Sequence, residues 1–121
     1  MSPTSLIVIV DDDEPVREST RGLMRSLGFQ AHAFADAAAF LNSDCLARTA
    51  CLVADVHMPG MSGLDLYRHL VACGRAVPTI LITGYPDDGV RALALQEGVM
   101  GYFTKPCRES DLLSCLRRVL P

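Results

Sequence analysis

The chain has 121 residues, half of them hydrophobic and 21% charged, with a formal net charge of −3. That length suits one domain with a real core, and the slight acidity carries no electrostatic footprint for direct nucleic-acid binding. No apolar run nears the ~20 residues that a membrane span needs.

The first predicted element is a strand. Leu6-Ile7-Val8-Ile9-Val10 is apolar and mostly β-branched without alternation, as expected of a strand buried on both faces. It runs straight into Asp11, Asp12 and Asp13. Three like charges so close repel one another, and ligands of open parallel α/β sheets sit at the carboxyl ends of strands. A divalent-cation site at the mouth of a sheet is therefore expected. Pro15 opens a helix with Asp13 or Glu14 as its cap. Val16, Leu23, Met24 and Leu27 recur at helical spacing, and Gly28 stops the helix. Phe29 to Phe34 reads as a short strand, and the alanine-rich Asp36 to Asn42 as a helix.

Ala50 to Ala54 is a further apolar strand, ending in Asp55. The turn-forming loop Val56-His57-Met58-Pro59-Gly60-Met61-Ser62-Gly63 leads to a third helix, apolar at Leu64, Tyr67, Leu70 and Val71 and ending at Gly74. Pro78 opens the strand Thr79-Ile80-Leu81-Ile82, which runs into Thr83-Gly84. Asp87 to Glu97 is a fourth helix, apolar at Val90, Leu93 and Ala94 and stopped by Gly98. Met100 to Thr104 is the last strand, before Lys105-Pro106. The closing helix carries the stripe Leu112, Leu113, Leu116, Val119 and Leu120, and Leu120-Pro121 is read as the end of that helix with no tail.

Five strands alternating with five helices imply right-handed crossovers and a parallel sheet with helices on both faces. Met1-Ser2-Pro3-Thr4-Ser5 has no basic region and no apolar stretch, so it is not read as a signal peptide. Five irregularly spaced cysteines without a CxxC read as free, mostly buried thiols of a reducing cytoplasm.

Four strands end in polar residues: Asp11 to Asp13, Asp55, Thr83 and Lys105. In a parallel sheet these ends share one edge, which gathers carboxylates, a hydroxyl and an ammonium around one crevice. Hard oxygen ligands suit Mg²⁺, and a hydroxyl and a lysine suit phosphoryl oxygens. Each residue alone also fits a plainer role. An Asp at a strand end caps a helix or closes a turn, Thr83 is a turn hydroxyl, and Lys105 is a solvated surface group. The joint pattern outweighs these readings, because all of them must hold at once. Asp55 ends a central apolar strand and is desolvated unless paired. His32 and His69 read as surface residues and not as ligands.

Four stretches, in this order and spacing over nearly the whole chain, carry a resemblance: Val10-Asp11-Asp12, Asp55 to Gly63, Ile82-Thr83-Gly84, and Tyr102-Phe103-Thr104-Lys105-Pro106. The sequence resembles the receiver domain of two-component response regulators. The resemblance implies a single receiver domain over 1–121 with a flavodoxin-like, CheY-like doubly wound fold of sheet order 2-1-3-4-5. Asp55 is then the phosphoacceptor, and Mg²⁺ is bound by Asp11, Asp12, Asp55 and the His57 backbone carbonyl. Lys105 pairs with the phosphoryl oxygens, and Pro106 follows a cis peptide bond. Thr83 reorients toward the phosphoryl group, and Tyr102 rotates inward into the vacated space. That alters the face made by the fourth helix, fifth strand and fifth helix.

Further implications are a sensor histidine kinase as partner, homodimerisation on phosphorylation, and a cytoplasmic location. The domain would take its phosphoryl group from phosphohistidine and lose it to water, as a signalling module and not a turnover enzyme. The wording of the motifs is similar to regulators with a helix-turn-helix output. This predicts a piece of a longer regulator that controls transcription, with DNA contacted by a C-terminal domain. Tyr85 is expected to shield the acyl phosphate from water; an unchanged decay rate in Tyr85→Ala would count against that.

Two rivals differ in class. Asp11-x-Asp13 also resembles the haloacid-dehalogenase phosphohydrolases, but Glu109 and Asp111 lie inside a helix where that family needs an acidic pair after the lysine strand, and the chain is short for one of its members. A pseudo-receiver, used only as a binding surface, has no need of Asp11, Asp12, Asp55, Thr83 and Lys105 together.

Overall fold

A computed structural model describes residues 5–120. The readings made on Met1–Thr4 and on Pro121 lie outside the described residues. Five strands, β1 (Leu6–Val10), β2 (Gln30–Phe34), β3 (Thr49–Asp55), β4 (Thr79–Thr83) and β5 (Gly101–Thr104), form one sheet in the order β2-β1-β3-β4-β5. Every adjacent pair is parallel. Between them run α1 (Glu14–Ser26), α2 (Ala37–Leu41), α3 (Gly63–Ala72), α4 (Asp88–Glu97) and, last, α5 (Glu109–Val119). This is the flavodoxin-like, doubly wound α/β order, and its switch point lies between β1 and β3.

Two helical layers explain the unbroken apolar strands. Leu6, Val8 and Val10 pack with Phe40, Leu66, Leu70 and Ala94 of α2, α3 and α4. Ile7 and Ile9 pack with Met24 of α1 and with Leu112 and Leu116 of α5. Both faces of β1 and β4 are therefore dry, and all their residues are buried. No helix among the described residues is long and apolar enough to cross a membrane.

Helix starts follow the short polar residues. Asp13, Asp36, Ser62 and Asp87 each accept a backbone N–H three residues on, from Val16, Ala39, Asp65 and Val90. Such a cap contributes about 1 kcal/mol. At the other ends, α1 and α4 close on Gly28 and Gly98, both at positive φ, where a Cβ is strained.

Several details differ from the sequence expectation. β2 begins at Gln30, because the Phe29 N–H is drawn back to the Met24 carbonyl at 3.1 Å in the last turn of α1. A one-turn 3-10 helix at Leu46–Arg48, too short to show periodicity, precedes β3. Val71 and Leu93, expected on the apolar faces of α3 and α4, are 47% and 43% exposed, while Leu66 and Ala94 are fully buried. In α5, Cys115 joins the buried stripe, and Leu120 is buried one residue past the helix end. All five cysteines are free, with Cys73 the exposed one.

Candidate functional site

β1 delivers its three acids to three environments. Asp11 is fully buried, and its Oδ1 accepts the Asp13 N–H at 2.9 Å. Asp12 points out, and Asp13 caps α1. The Arg17 guanidinium donates to the Asp11 backbone carbonyl at 2.9 Å, which ties α1 to the strand end. β3 delivers Asp55, 4% exposed, whose Oδ1 accepts the His57 N–H at 3.1 Å. Asp11, Asp12 and Asp55 each present a carboxylate oxygen within 4.8 Å of the others.

β5 brings in the cation. Lys105 Nζ donates to Asp55 Oδ2 at 3.1 Å and lies 2.9 Å from Asp11 Oδ2. The second contact is charge against charge without hydrogen-bond geometry, so Asp11 Oδ2 is a buried oxygen with no hydrogen-bond partner among the described residues. That oxygen is countered by charge alone and keeps its hydrogen-bonding lone pairs open to a metal ion. One carboxylate oxygen from each of Asp11, Asp12 and Asp55, mutually within 4.8 Å, makes a hard donor set that fits a small divalent ion. The peptide bond Lys105-Pro106 is cis, as the resemblance implied.

Electrostatics follow from burial. Desolvation pushes the Asp55 carboxyl above its ordinary range, against the pull of the Lys105 hydrogen bond and the His57 N–H. Burial works against the Lys105 ammonium, but the Asp11 carboxylate 2.9 Å away and the hydrogen bond to Asp55 outweigh it and raise the amine above the usual lysine value. The site thus holds more negative charge than its single ammonium balances.

A pocket of about 470 Å³ opens over these groups, lined by Asp12, Asp13, Asp55, His57, Gly84, Tyr85 and Lys105. Tyr85 is 78% exposed and meets His57 edge to face, with ring centroids 5.9 Å apart. Thr83 is fully buried at the end of β4, and its Oγ1 accepts the Tyr85 N–H at 2.9 Å. Tyr102 stands away from the pocket. Its ring is already inside the core, and its hydroxyl accepts the Asp87 N–H at 3.1 Å, at the start of α4.

One residue that positions the site was not singled out from the sequence. A Cβ on Gly63 would land on the Asp55 carbonyl oxygen and 3.0 Å from Leu81 Cδ2. The first turn of α3 packs directly on the end of β3, and only glycine permits that approach. The available signal was a glycine inside the first helical turn, where it has no cap to make.

Acidic crevices at the switch point of a doubly wound sheet define a class of α/β ligand-binding domain. Residues 7–117 match the family described as the response regulator receiver domain, and the chain belongs to that family. It is 44% identical over 116 residues to the response regulator protein TmoT of Ectopseudomonas mendocina, covering 96% of this chain and 53% of TmoT. It is 36% identical over 119 residues to the transcriptional regulatory protein FixJ of Azorhizobium caulinodans, covering 98% of this chain and 56% of FixJ. A solved structure of the response regulator StyR superposes with a TM-score of 0.87 at 36% identity, over 97% of this chain and 59% of StyR. The chain thus spans about half the length of the curated relatives it matches.

Proposed function

We propose that Asp55 is the phosphoacceptor of this receiver domain, taking a phosphoryl group from the phosphohistidine of a sensor histidine kinase. The observation that carries this is the single ammonium of Lys105 set between the Asp11 and Asp55 carboxylates, with Asp12 within one cation's reach.

The residues divide the work. The Asp55 carboxylate attacks phosphorus in line, and the transition state is loose, so positioning and charge neutralisation dominate. The His57 N–H on Oδ1 fixes the carboxylate plane and leaves Oδ2 toward Lys105. When the phosphoryl group arrives, Lys105 exchanges a carboxylate oxygen for a phosphoryl oxygen. Asp11, Asp12, Asp55 and the His57 carbonyl would hold a Mg²⁺ ion, which would supply positive charge against the carboxylates and Lewis acidity. Thr83 turns its hydroxyl to the phosphoryl group and releases the Tyr85 N–H. Tyr102, joined to α4 through Asp87, carries the change to the face of α4, β5 and α5.

The domain is then a signalling module in the cytoplasm and not a turnover enzyme. Its wider partners are an output domain that contacts DNA to control transcription, and a second copy of the chain on phosphorylation. Acetyl phosphate with Mg²⁺ should add the mass of one phosphate, and chelation of the metal or Asp55→Asn should abolish the gain. Retained labelling in Asp55→Asn would overturn the assignment. Hydrolysis of para-nitrophenyl phosphate, lost in Asp11→Asn and kept in Asp55→Asn, would replace it with the phosphohydrolase reading.

A further inference from the structure

Cys73 is the exposed one of the five free cysteines, and it caps the carboxyl end of α3. His69, four residues back on the same helix face, is exposed as well. From the sequence His69 reads as a surface residue and no ligand; the helix supplies its partner. Cys73 Sγ lies 3.6 Å from His69 Nε2. That separation matches the bite of one metal ion. Tetrahedral zinc, with bonds of about 2.3 Å to sulfur and about 2.05 Å to nitrogen, holds two such atoms about 3.6 Å apart. The two donors are thus already at chelating distance. A thiolate with an imidazole suits a borderline ion such as zinc, unlike the all-oxygen set of the crevice, which suits Mg²⁺.

We propose that His69 and Cys73 form a half-site for Zn²⁺, which a second copy of the chain completes as a Cys₂His₂ centre. Zinc held by side chains alone takes four ligands, and one chain offers two here. A two-fold axis through the ion draws the other two from the same residues of the second copy. Ala72 and Gly74, beside the ligands in the chain, are exposed and small, so no bulky side chain at either position bars a second helix end. The backbone dipole at the carboxyl end of α3 favours a cation. Arg68, the neighbouring cation on that helix, is already matched by Glu97 through two hydrogen bonds.

Charge balances at the centre. Each thiol gives its proton to water as the sulfur–zinc bond forms, and each imidazole binds as the neutral ring through Nε2. Two thiolates then offset the dication. The half-site lies at the far end of α3 from Asp55, about 15 Å along the helix, so the pairing needs zinc and no phosphoryl group.

The test titrates the chain with Co²⁺, which takes zinc's place and reports thiolate ligation by a charge-transfer absorption. A phosphine reductant and excess Mg²⁺ are present, and no phosphodonor. Sedimentation equilibrium with Zn²⁺ reads the mass. The absorption should saturate at one ion per two chains, and zinc should double the mass. Cys73→Ser should lose both signals. His69→Gln should raise the Co²⁺ needed for half-saturation more than about tenfold. Both side chains are exposed, so neither substitution opens the core. Absorption retained in Cys73→Ser, saturation at one ion per chain without doubling of the mass, or doubling that occurs without zinc overturns the proposal.

Discussion

Among the described residues, two places set one cation against two carboxylates, and they behave in opposite ways. In the crevice, Lys105 (14% exposed side chain) lies between Asp11 and Asp55 at 0% and 5%. On the surface, Arg68 (43% exposed) bridges Glu97 of α4 and Asp65 of α3. By geometry the surface cluster is better, with two guanidinium donors on Glu97 at 2.8 and 2.6 Å. Water decides the outcome. The Arg68 hydrogen bonds hold the Glu97 carboxyl below its ordinary range, whereas desolvation pushes Asp55 above its own. The well-formed pair is satisfied and inert, and the buried one carries an unmet demand for positive charge. That demand is the property a metal and phosphoryl site requires.

Substitution should separate the two clusters most sharply at Lys105. Lys105→Met leaves two buried carboxylates facing each other. Urea denaturation in metal-free buffer at pH 7 should then show a loss of order 2–4 kcal/mol, somewhat below the full cost of a stranded buried charge because the crevice mouth admits water. The deficit should narrow on acidification, as Asp55 takes up a proton. Next in size, Gly63→Ala forces a methyl group onto the Asp55 carbonyl and should cost about 1–3 kcal/mol of overpacking strain, read by the same denaturation curve.

The smallest effects belong to pH dependence, and their signs are opposite. Asp55 keeps its proton in the folded state above its unfolded value, so its ionisation weakens the fold as pH rises from there. Asp55→Asn should therefore raise the thermal midpoint at neutral pH without metal. Glu97 has a lowered folded value, so its contribution is present above the unfolded value of 4.5 and is lost as pH falls through the folded one. Glu97→Gln should flatten the stability curve on the acid side alone. A neutral-pH loss for Arg68→Ala matching that of Lys105→Met would break the contrast.

Much of this was legible in the residues because parallel sheets leave a strong trace. Strands buried on both faces need unbroken apolar runs, so Leu6 to Val10 and Thr79 to Ile82 announce themselves, and the polar groups that end them must share an edge. The matched pairings were less visible. Arg68 and Glu97 are 29 positions apart on polar helix surfaces, where any opposite charge would serve. Tyr102 was read as a switch that turns inward on phosphorylation; in this structure its ring is buried in the core, with its hydroxyl on the Asp87 N–H. Rotamer choice of that kind depends on neighbours from three elements and leaves no periodicity. Val71 and Leu93 fit an apolar stripe by spacing alone, but no neighbouring element covers them and both stay exposed.

The proposed site requires one divalent ion shared by Asp11, Asp12 and Asp55. Calorimetric titration with Mg²⁺ should give one site per chain, lost in Asp12→Asn and in Asp55→Asn. Undiminished binding in both variants, or no binding to the unsubstituted chain, would contradict it.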